Sequence, residues 1–462
     1  MRGILGFRRY FEYSKLMKNI IIKQLRKMRR KFKKVCNTLI TSHGETISET
    51  LSKIFRRLNK QKSGINGKTL FNLFESIIEP NFWLKLGNNT IYKLKDYFNF
   101  IIFLSSFNLT PEGGTQLLKS LSVVGPNADT FLYHLKKFTR KEIMELVEKL
   151  NQRIFQEAKR FLRHGVIKKA FKVAIDFTDR PYYGKKSTPS IVGGKQKAST
   201  NWFYRFAAIT IIEKGVRFTL AMAPVLPFDE DVEIVDWLIK KAEKVIRIKI
   251  IEMDRGFFKS KIINYLIKNR YKFLMPAIKN KRIKKQILSF HQNKSKQCIQ
   301  YRFYPSRKNS KDYEFNVFFV KNESEWTNLS EIPQTEKDIL KLYHVYATNK
   351  VIRNRTNHNL KKIAAQYKDR WGVETAFKMI NFFQIRTSSR IFIIRLFCYL
   401  FSMVIYNLWI LYNLLYKCSR ENRYILPSFQ LKLYILVKSL QYWTQIIMIQ
   451  TKNKRLTNFC RN

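Results

Sequence analysis

The chain has 462 residues, 88 of them Lys or Arg against 33 Asp or Glu, for a formal net charge of +55. Hydrophobic residues make up 45% of the chain and aromatic ones 15%, which excludes a disordered polycation, and the length calls for two or three domains. So large a charge repels itself in a compact chain unless a polyanion shares it, which predicts a nucleic-acid partner, with an anionic membrane surface as the alternative.

Residues 1–40 are expected to form a basic arm, centred on "KQLRKMRRKFKK". The N-terminus lacks an apolar h-region followed by a small-residue cleavage site, so no signal peptide is expected. Residues 41–165 carry helical periodicity and few strand signals, which predicts an all-α domain. Within it, a helix from Pro111 to about Leu121, a break at Gly125-Pro126 and a second helix capped by Asn127 outline a helix-turn-helix. His134, Lys136 and Lys137 lie on that second helix, as candidates for reading a DNA groove. Residues 166–280 change texture. "AFKVAIDFTD", "WFYRFAAITII" and "VRFTLAMAPV" read as strands, followed by a helix over Asp231 to Val245, the strand "RIKIIEMD", a helix near Lys259 to Lys268 and the strand "YKFLMPA". That order predicts an α/β domain with a mixed sheet, antiparallel first and parallel afterwards. Residues 281–350 look like a β-rich insertion holding "CIQYRFY", "YEFNVFFV" and "LYHVYAT". Helical pattern resumes over 351–416 and ends in a charge-free stretch, Leu396 to Tyr416, long enough to cross a bilayer. Its asparagines and tyrosines, and the want of a second such span, predict a buried core helix instead. Residues 417–462 form a basic C-terminal segment. The five cysteines show no CxxC pairing, which argues against a zinc site or a disulfide framework and suits a reducing interior.

In so basic a chain, acids on apolar elements stand out. Asp176 lies on the first strand, and Asp254 ends "KIIEMD" before the turn Arg255-Gly256, at the strand edge where open α/β sheets gather their ligands. Glu374 lies on a helix in "YKDRWGVETAFKMI". Each has an ordinary alternative: a strand-end Asp caps a turn, and a helical Glu forms a surface ion pair. Asp179 is read as shaping the turn before Arg180-Pro181, beside the site and not in it. Hard oxygen ligands converging from three elements are what Mg²⁺ requires. Tyr367, Arg370, Glu374 and Lys378 are spaced three, four and four apart, which puts them on one helix face. Arg370 would then clamp a phosphate and Tyr367 donate to another. Trp371 falls off that face and is expected in the core, with stacking on an unpaired base as the alternative. Lys185, Lys186, Lys195 and Lys197 are read as a Gly-containing loop able to track a DNA backbone, with a merely solvated loop as the equal alternative.

These motifs resemble the DDE transposases of bacterial and archaeal insertion sequences, specifically the group with a Tyr, Arg, Glu, Lys signature around its catalytic glutamate. "AIDFTDRPYYG" is similar to the first-aspartate strand, "IIEMDRGFF" to the second-aspartate motif, and "YKDRWGVETAFK" supplies Tyr367, Arg370 and Glu374. The signature lysine would fall seven residues after Glu374, where this chain has Asn381; Lys378, one turn after the glutamate, is the candidate substitute. The resemblance implies an RNase H-like catalytic core with a β-rich insertion, preceded by an all-α end-recognition domain. It implies two Mg²⁺ ions, with Mn²⁺ as a substitute, held by Asp176, Asp254 and Glu374, and DNA contacts from Tyr367, Arg370, Lys378 and Arg255. Its expected activity is cleavage of the DNA element's ends and their joining to target DNA by metal-dependent phosphoryl transfer. Double-stranded DNA, a dimer on that DNA, no membrane and a cytoplasmic, nucleoid-associated place in a prokaryotic cell follow as expectations. A nuclease of the same fold and a catalytically silent DNA-binding relative are the alternatives.

Overall fold

The computed structural model describes residues 74–120, 125–161, 170–213, 215–304, 313–322 and 335–419. The expected basic arm lies outside the described residues, as does nearly all of the C-terminal segment. Two units divide the chain. One holds the described residues up to Phe138 with Ile385–Ser388, the other Thr139–Gln384 with the helix that follows Ser389.

The first unit contains helices α1 (Leu94–Phe107), α2 (Pro111–Ser120) and α3 (Ala128–Lys136), and no strand among its described residues. The backbone N–H of Lys93 donates to Asp96 Oδ2 at 2.7 Å, closing the start of α1, and Asn108 in the left-handed region (φ 53°) ends it. Helices α2 and α3 pack on each other, in the outline expected of a helix-turn-helix. One reading of α3 is corrected here. His134 is 3% exposed and its Nδ1 lies 2.9 Å from the carbonyl of Lys85, so it is a structural residue; only Lys136 of that set is fully on the surface.

The second unit opens with α4 (Arg140–Phe161) and is built on a nine-stranded sheet of the described residues. Its strands are β1 (Phe171–Pro181), β2 (Val192–Lys197), β3 (Thr200–Ile211), β4 (Thr219–Val225), β5 (Ile248–Met253), β6 (Phe273–Pro276), β7 (Cys298–Tyr301), β8 (Phe315–Lys321) and β9 (Tyr343–Thr348). The path runs β2-β3-β1-β5-β6-β9-β8-β7, with β4 and β2 sharing the edge of β3 away from β1. β1 is antiparallel to β3 but parallel to β5, and β5 is parallel to β6. The change from antiparallel to parallel is the one the element order predicted. β2 was read as loop. Its turn, Ala198-Ser199, has φ of 47° and 61° at two non-glycine residues, a tight hairpin with none of the Asn-Gly chemistry that announces one in sequence.

The insertion does not form a separate layer. β9 pairs antiparallel with β6 and carries β8 and β7 outward, so the sheet continues through it. It also holds two helices, α7 (Lys281–His291) and α8 (Glu336–Lys341). α7 grows out of the basic run because Asn280 caps it, accepting from the N–H of Ile283 at 3.0 Å, and Ile283 and Ile287 are buried beneath the lysines.

Helix α5 (Asp231–Glu243) packs on β3 and β4, and α6 (Ser260–Lys268) joins β5 to β6. Helix α9 (Asn357–Gln366) leads through a 3₁₀ turn, Tyr367–Arg370, into α10 (Trp371–Phe382), which lies across β1 and β3. A Cβ on Gly372 would stand 3.2 Å from the backbone Cα of Ile212, just past β3, a tight contact that a larger residue could keep only if α10 or that backbone gave way by a few tenths of an ångström. Last comes α11 (Phe392–Ser419), long and apolar enough to span a membrane, yet buried against α4, α10 and β4. Its polar residues have work inside the protein. Asn407 accepts from the N–H of Thr219 (2.9 Å) and donates to the carbonyl of Thr219 (2.8 Å) and to Asn151 Oδ1 (3.1 Å). An amide so satisfied avoids the penalty of about 1–3 kcal/mol for a buried unpaired polar group.

Candidate active site

The parallel pairing of β1 and β5 sets Ile175 beside Met253, so the next residue on each strand is an aspartate, Asp176 and Asp254. β5 ends there while β1 continues along β3, which leaves both carboxylates at the sheet's opening edge. Asp254 starts the 3₁₀ turn Arg255–Phe257, its Oδ1 accepting from the N–H of Gly256 at 2.7 Å. Asp176 accepts from the N–H of Phe177 at 2.8 Å and from Arg370 Nη1 at 2.9 Å.

Arg370 reaches back to Glu374 as well, Nη2 to Oε1 at 2.9 Å. Its guanidinium, 12% exposed, therefore stands between a β1 carboxylate and an α10 carboxylate. Burial raises the Asp176 pKa to about 6; Arg370 opposes the rise, and the charges of Asp254 and Glu374 add to it. Three carboxylates against one guanidinium leave two negative charges, the complement of a divalent cation. In this arrangement no three acidic, His or Cys side chains among the described residues are close enough to share one ion. Arg370 lies between two of the three, bonded to both Asp176 and Glu374. The donor set, all hard carboxylate oxygens, fits Mg²⁺ or Mn²⁺.

The remaining expected residues fall differently. Tyr367 and Arg370 lie on a 3₁₀ turn and not on the helix of Glu374, but three residues per turn keeps them aligned. The Tyr367 hydroxyl is not turned to a ligand. It donates to the carbonyl of Met253 at 3.1 Å, and the ring packs on Tyr346 and on a core of Leu274, Phe318, Leu360 and Ile363. Tyr367 thus pins the turn that carries Arg370 to the strand that carries Asp254. Asp179 shapes no turn, for β1 runs on to Pro181. Three residues from Asp176, it points to the opposite face, pairing with Arg205 Nε (2.7 Å) and Lys197 Nζ (3.2 Å). Burial would raise its pKa, but the hydrogen bond from Arg205 and the nearby charges hold it low. Trp371 is 61% exposed beside Arg370, so the core placement is corrected. Arg255 and Lys378 are exposed, and Lys195 and Lys197 sit on β2.

One residue was missed. Glu252, two residues before Asp254, is wholly buried with no side-chain hydrogen-bond partner, and only the backbone N–H of Arg370 approaches its carboxylate. Burial raises its pKa to about 8; the charges of Lys172 and Arg370 pull the other way, and Asp369 adds to the rise. An acid inside the apolar run "IIEM" was the signal.

A mixed sheet ordered β4-β3-β1-β5-β6, antiparallel then parallel, with acids at the adjoining ends of β1 and β5, defines an RNase H-like catalytic domain. Residues 172–408 match the transposase DDE domain family, and the chain belongs to it. The fold is similar to that of a piggyBac transposase solved as a synaptic complex with hairpin DNA, with a TM-score of 0.54 and 12% identity over 84% of this chain and 83% of that one. No curated protein matches the chain in sequence. Membership makes the protein a DNA transposase, of a family whose chemistry uses divalent metal.

Proposed function

We propose that the protein cuts DNA at the ends of its own element and joins those ends to target DNA, with Asp176, Asp254 and Glu374 holding two Mg²⁺ ions. The observation that carries this reading is the single guanidinium shared by Asp176 and Glu374, with the charge of Asp254, at the end of the neighbouring strand, felt at Asp176. Bound there, the metal supplies Lewis acidity at the scissile phosphate. Asp176 and Asp254 offer oxygens from adjoining strands, and Glu374 offers the third from α10. Arg370, held from below by Tyr367, can trade a carboxylate for a non-bridging phosphate oxygen, since both accept charge-assisted bonds of similar strength. Arg255 and Lys378 neutralise flanking phosphates, and the exposed indole of Trp371 stacks on an unpaired base. In the first step a water oxygen bonds to phosphorus as the P–O3′ bond breaks and the 3′-oxygen leaves as a hydroxyl. In the second, that hydroxyl attacks a target phosphate and displaces its 3′-oxygen in turn. No bond forms between protein and DNA. Joining two ends implies two copies of the chain on the DNA.

The test is strand cleavage of DNA carrying the gene's own flanks, with Mg²⁺ or Mn²⁺, by the full chain and by Asp254→Ala. Metal-dependent cuts at the element boundaries, lost by about a thousandfold or more in the variant while DNA binding persists, are expected. Tight, salt-sensitive binding without cutting by the wild type would leave a silent DNA binder instead.

A further inference from the structure

The face of β1 that bears Asp176 also bears Arg180, four residues on and about 13 Å along the strand. Arg180 is half-buried. Its Nη1 donates to Asn381 Oδ1 at 2.6 Å, and its guanidinium lies 4.9 Å from the ring centroid of Tyr399. Beside it on the sheet, Tyr204 pairs with Arg180 in the β1–β3 register, and Arg395, one turn before Tyr399 on α11, lies 5.2 Å from the Tyr204 ring. Arg395 is half-buried too. Neither guanidinium has a carboxylate partner among the described residues, and neither has a nitrogen both unbonded and sealed from solvent. An unpaired cation on the open surface of so basic a chain is ordinary. Two arginines half-sunk on aromatic faces are not, because burial penalises charge unless something anionic meets it. Stacking, with the Asn381 amide oxygen accepting from Arg180 and the Ser389 carbonyl accepting from Arg395, fixes the forks in place, which is how arginine is arranged for phosphate.

Resting on the transposase reading, we propose that Arg180 and Arg395 form a second anion site, which grips a backbone phosphate of the DNA a few nucleotides from the phosphate at Asp176 and Glu374. α10 links the two, carrying Glu374 at one end and Asn381 at the other. The site sets the register of the strand and takes no part in the chemistry.

The test uses the full chain, as wild type, Arg180→Gln, Arg395→Gln and Arg180→Lys, on duplexes ending at the element boundary. In these, the phosphates near the end are replaced one at a time by uncharged methylphosphonate. Dissociation constants and single-turnover cleavage rates are read together, with melting temperature as a check on folding. Wild type is expected to lose about tenfold in affinity at one substituted phosphate. Each Gln variant should lose as much on the unmodified duplex and nothing further at that same position, and its salt slope should fall by about 1. Arg180→Lys should lie between. If the losses multiply at every position, or no phosphate is sensitive in the wild type, the arginines only hold β1 to α10 and α11 and the site is refuted. Should Arg180→Gln not fold, the wild-type scan and Arg395→Gln decide alone. Coupled binding without cleavage would retain the phosphate site and overturn the transposase reading, whereas cleavage without coupling would do the reverse.

Discussion

Glu252→Gln removes one proton from the folding equilibrium while keeping the shape of the side chain. The wild-type carboxyl is wholly buried with a pKa of about 8, against an ordinary value of 4.5. Between those values the folded state holds a proton that the unfolded state has released, so raising the pH favours unfolding. One proton is worth about 1.4 kcal/mol per pH unit, so the wild type has given up roughly 3 kcal/mol by pH 7. Glutamine cannot release a proton and is spared that loss. Its buried amide N–H groups want partners, at a cost of about 1–3 kcal/mol that does not vary with pH. The quantity to read is therefore the slope. Urea unfolding of both proteins at pH 5, 6, 7 and 8 should show the variant gaining on the wild type by about 1.4 kcal/mol per unit up to pH 7 and levelling near 8. Asp176 titrates in both proteins and cancels. A difference that stays flat across the range would mean that Glu252 is ionised when buried, and the placement of its charge here would be wrong.

Arg370→Ala should leave Asp176 and Glu374 facing each other unpaired and lower stability by about 3 kcal/mol, with added Mg²⁺ raising the melting temperature far more in the variant than in the wild type. Equal responses to Mg²⁺ would sink the assignment of an ion to that space. Gly372→Ala forces a methyl against the backbone of Ile212 and should cost about 1–3 kcal/mol, with cleavage falling as α10 shifts; calorimetry with a cleavage assay decides it. Trp371→Ala, at an exposed position, should change stability by no more than about 0.5 kcal/mol but weaken binding to an end with unpaired bases by about 1–3 kcal/mol, and unchanged affinity would remove its stacking role.

Much of this arrangement was legible because it rests on short-range signals. β-Branched and aromatic runs marked β1, β3 and β4, the apolar run closed by Asp254 marked the end of β5, and residue spacing put Arg370 beside Glu374. What stayed hidden depends on distant partners. Spacing places Trp371 off the site face without saying whether anything covers it, and among the described residues most of it stays uncovered. Tyr367 lay on the right face, yet only the fold shows its hydroxyl reaching Met253. Asp179 looked like a turn former because the strand pairing that makes Arg205 its partner spans 26 residues. Asn381 stood out only as a departure from the signature lysine, and its bond to Arg180, 201 residues earlier, is visible in the fold alone.

The docking of β9 directly onto β6 has an evolutionary corollary. The chain leaves the sheet after β6 and comes back at the adjacent position, so everything between is a cassette hung outside the ladder that joins Asp254 to Glu374. Its strands and helices can be lengthened, trimmed or exchanged while the distance between those carboxylates holds. A lineage could thereby remodel the outer edge of the sheet without disturbing the acids at its centre.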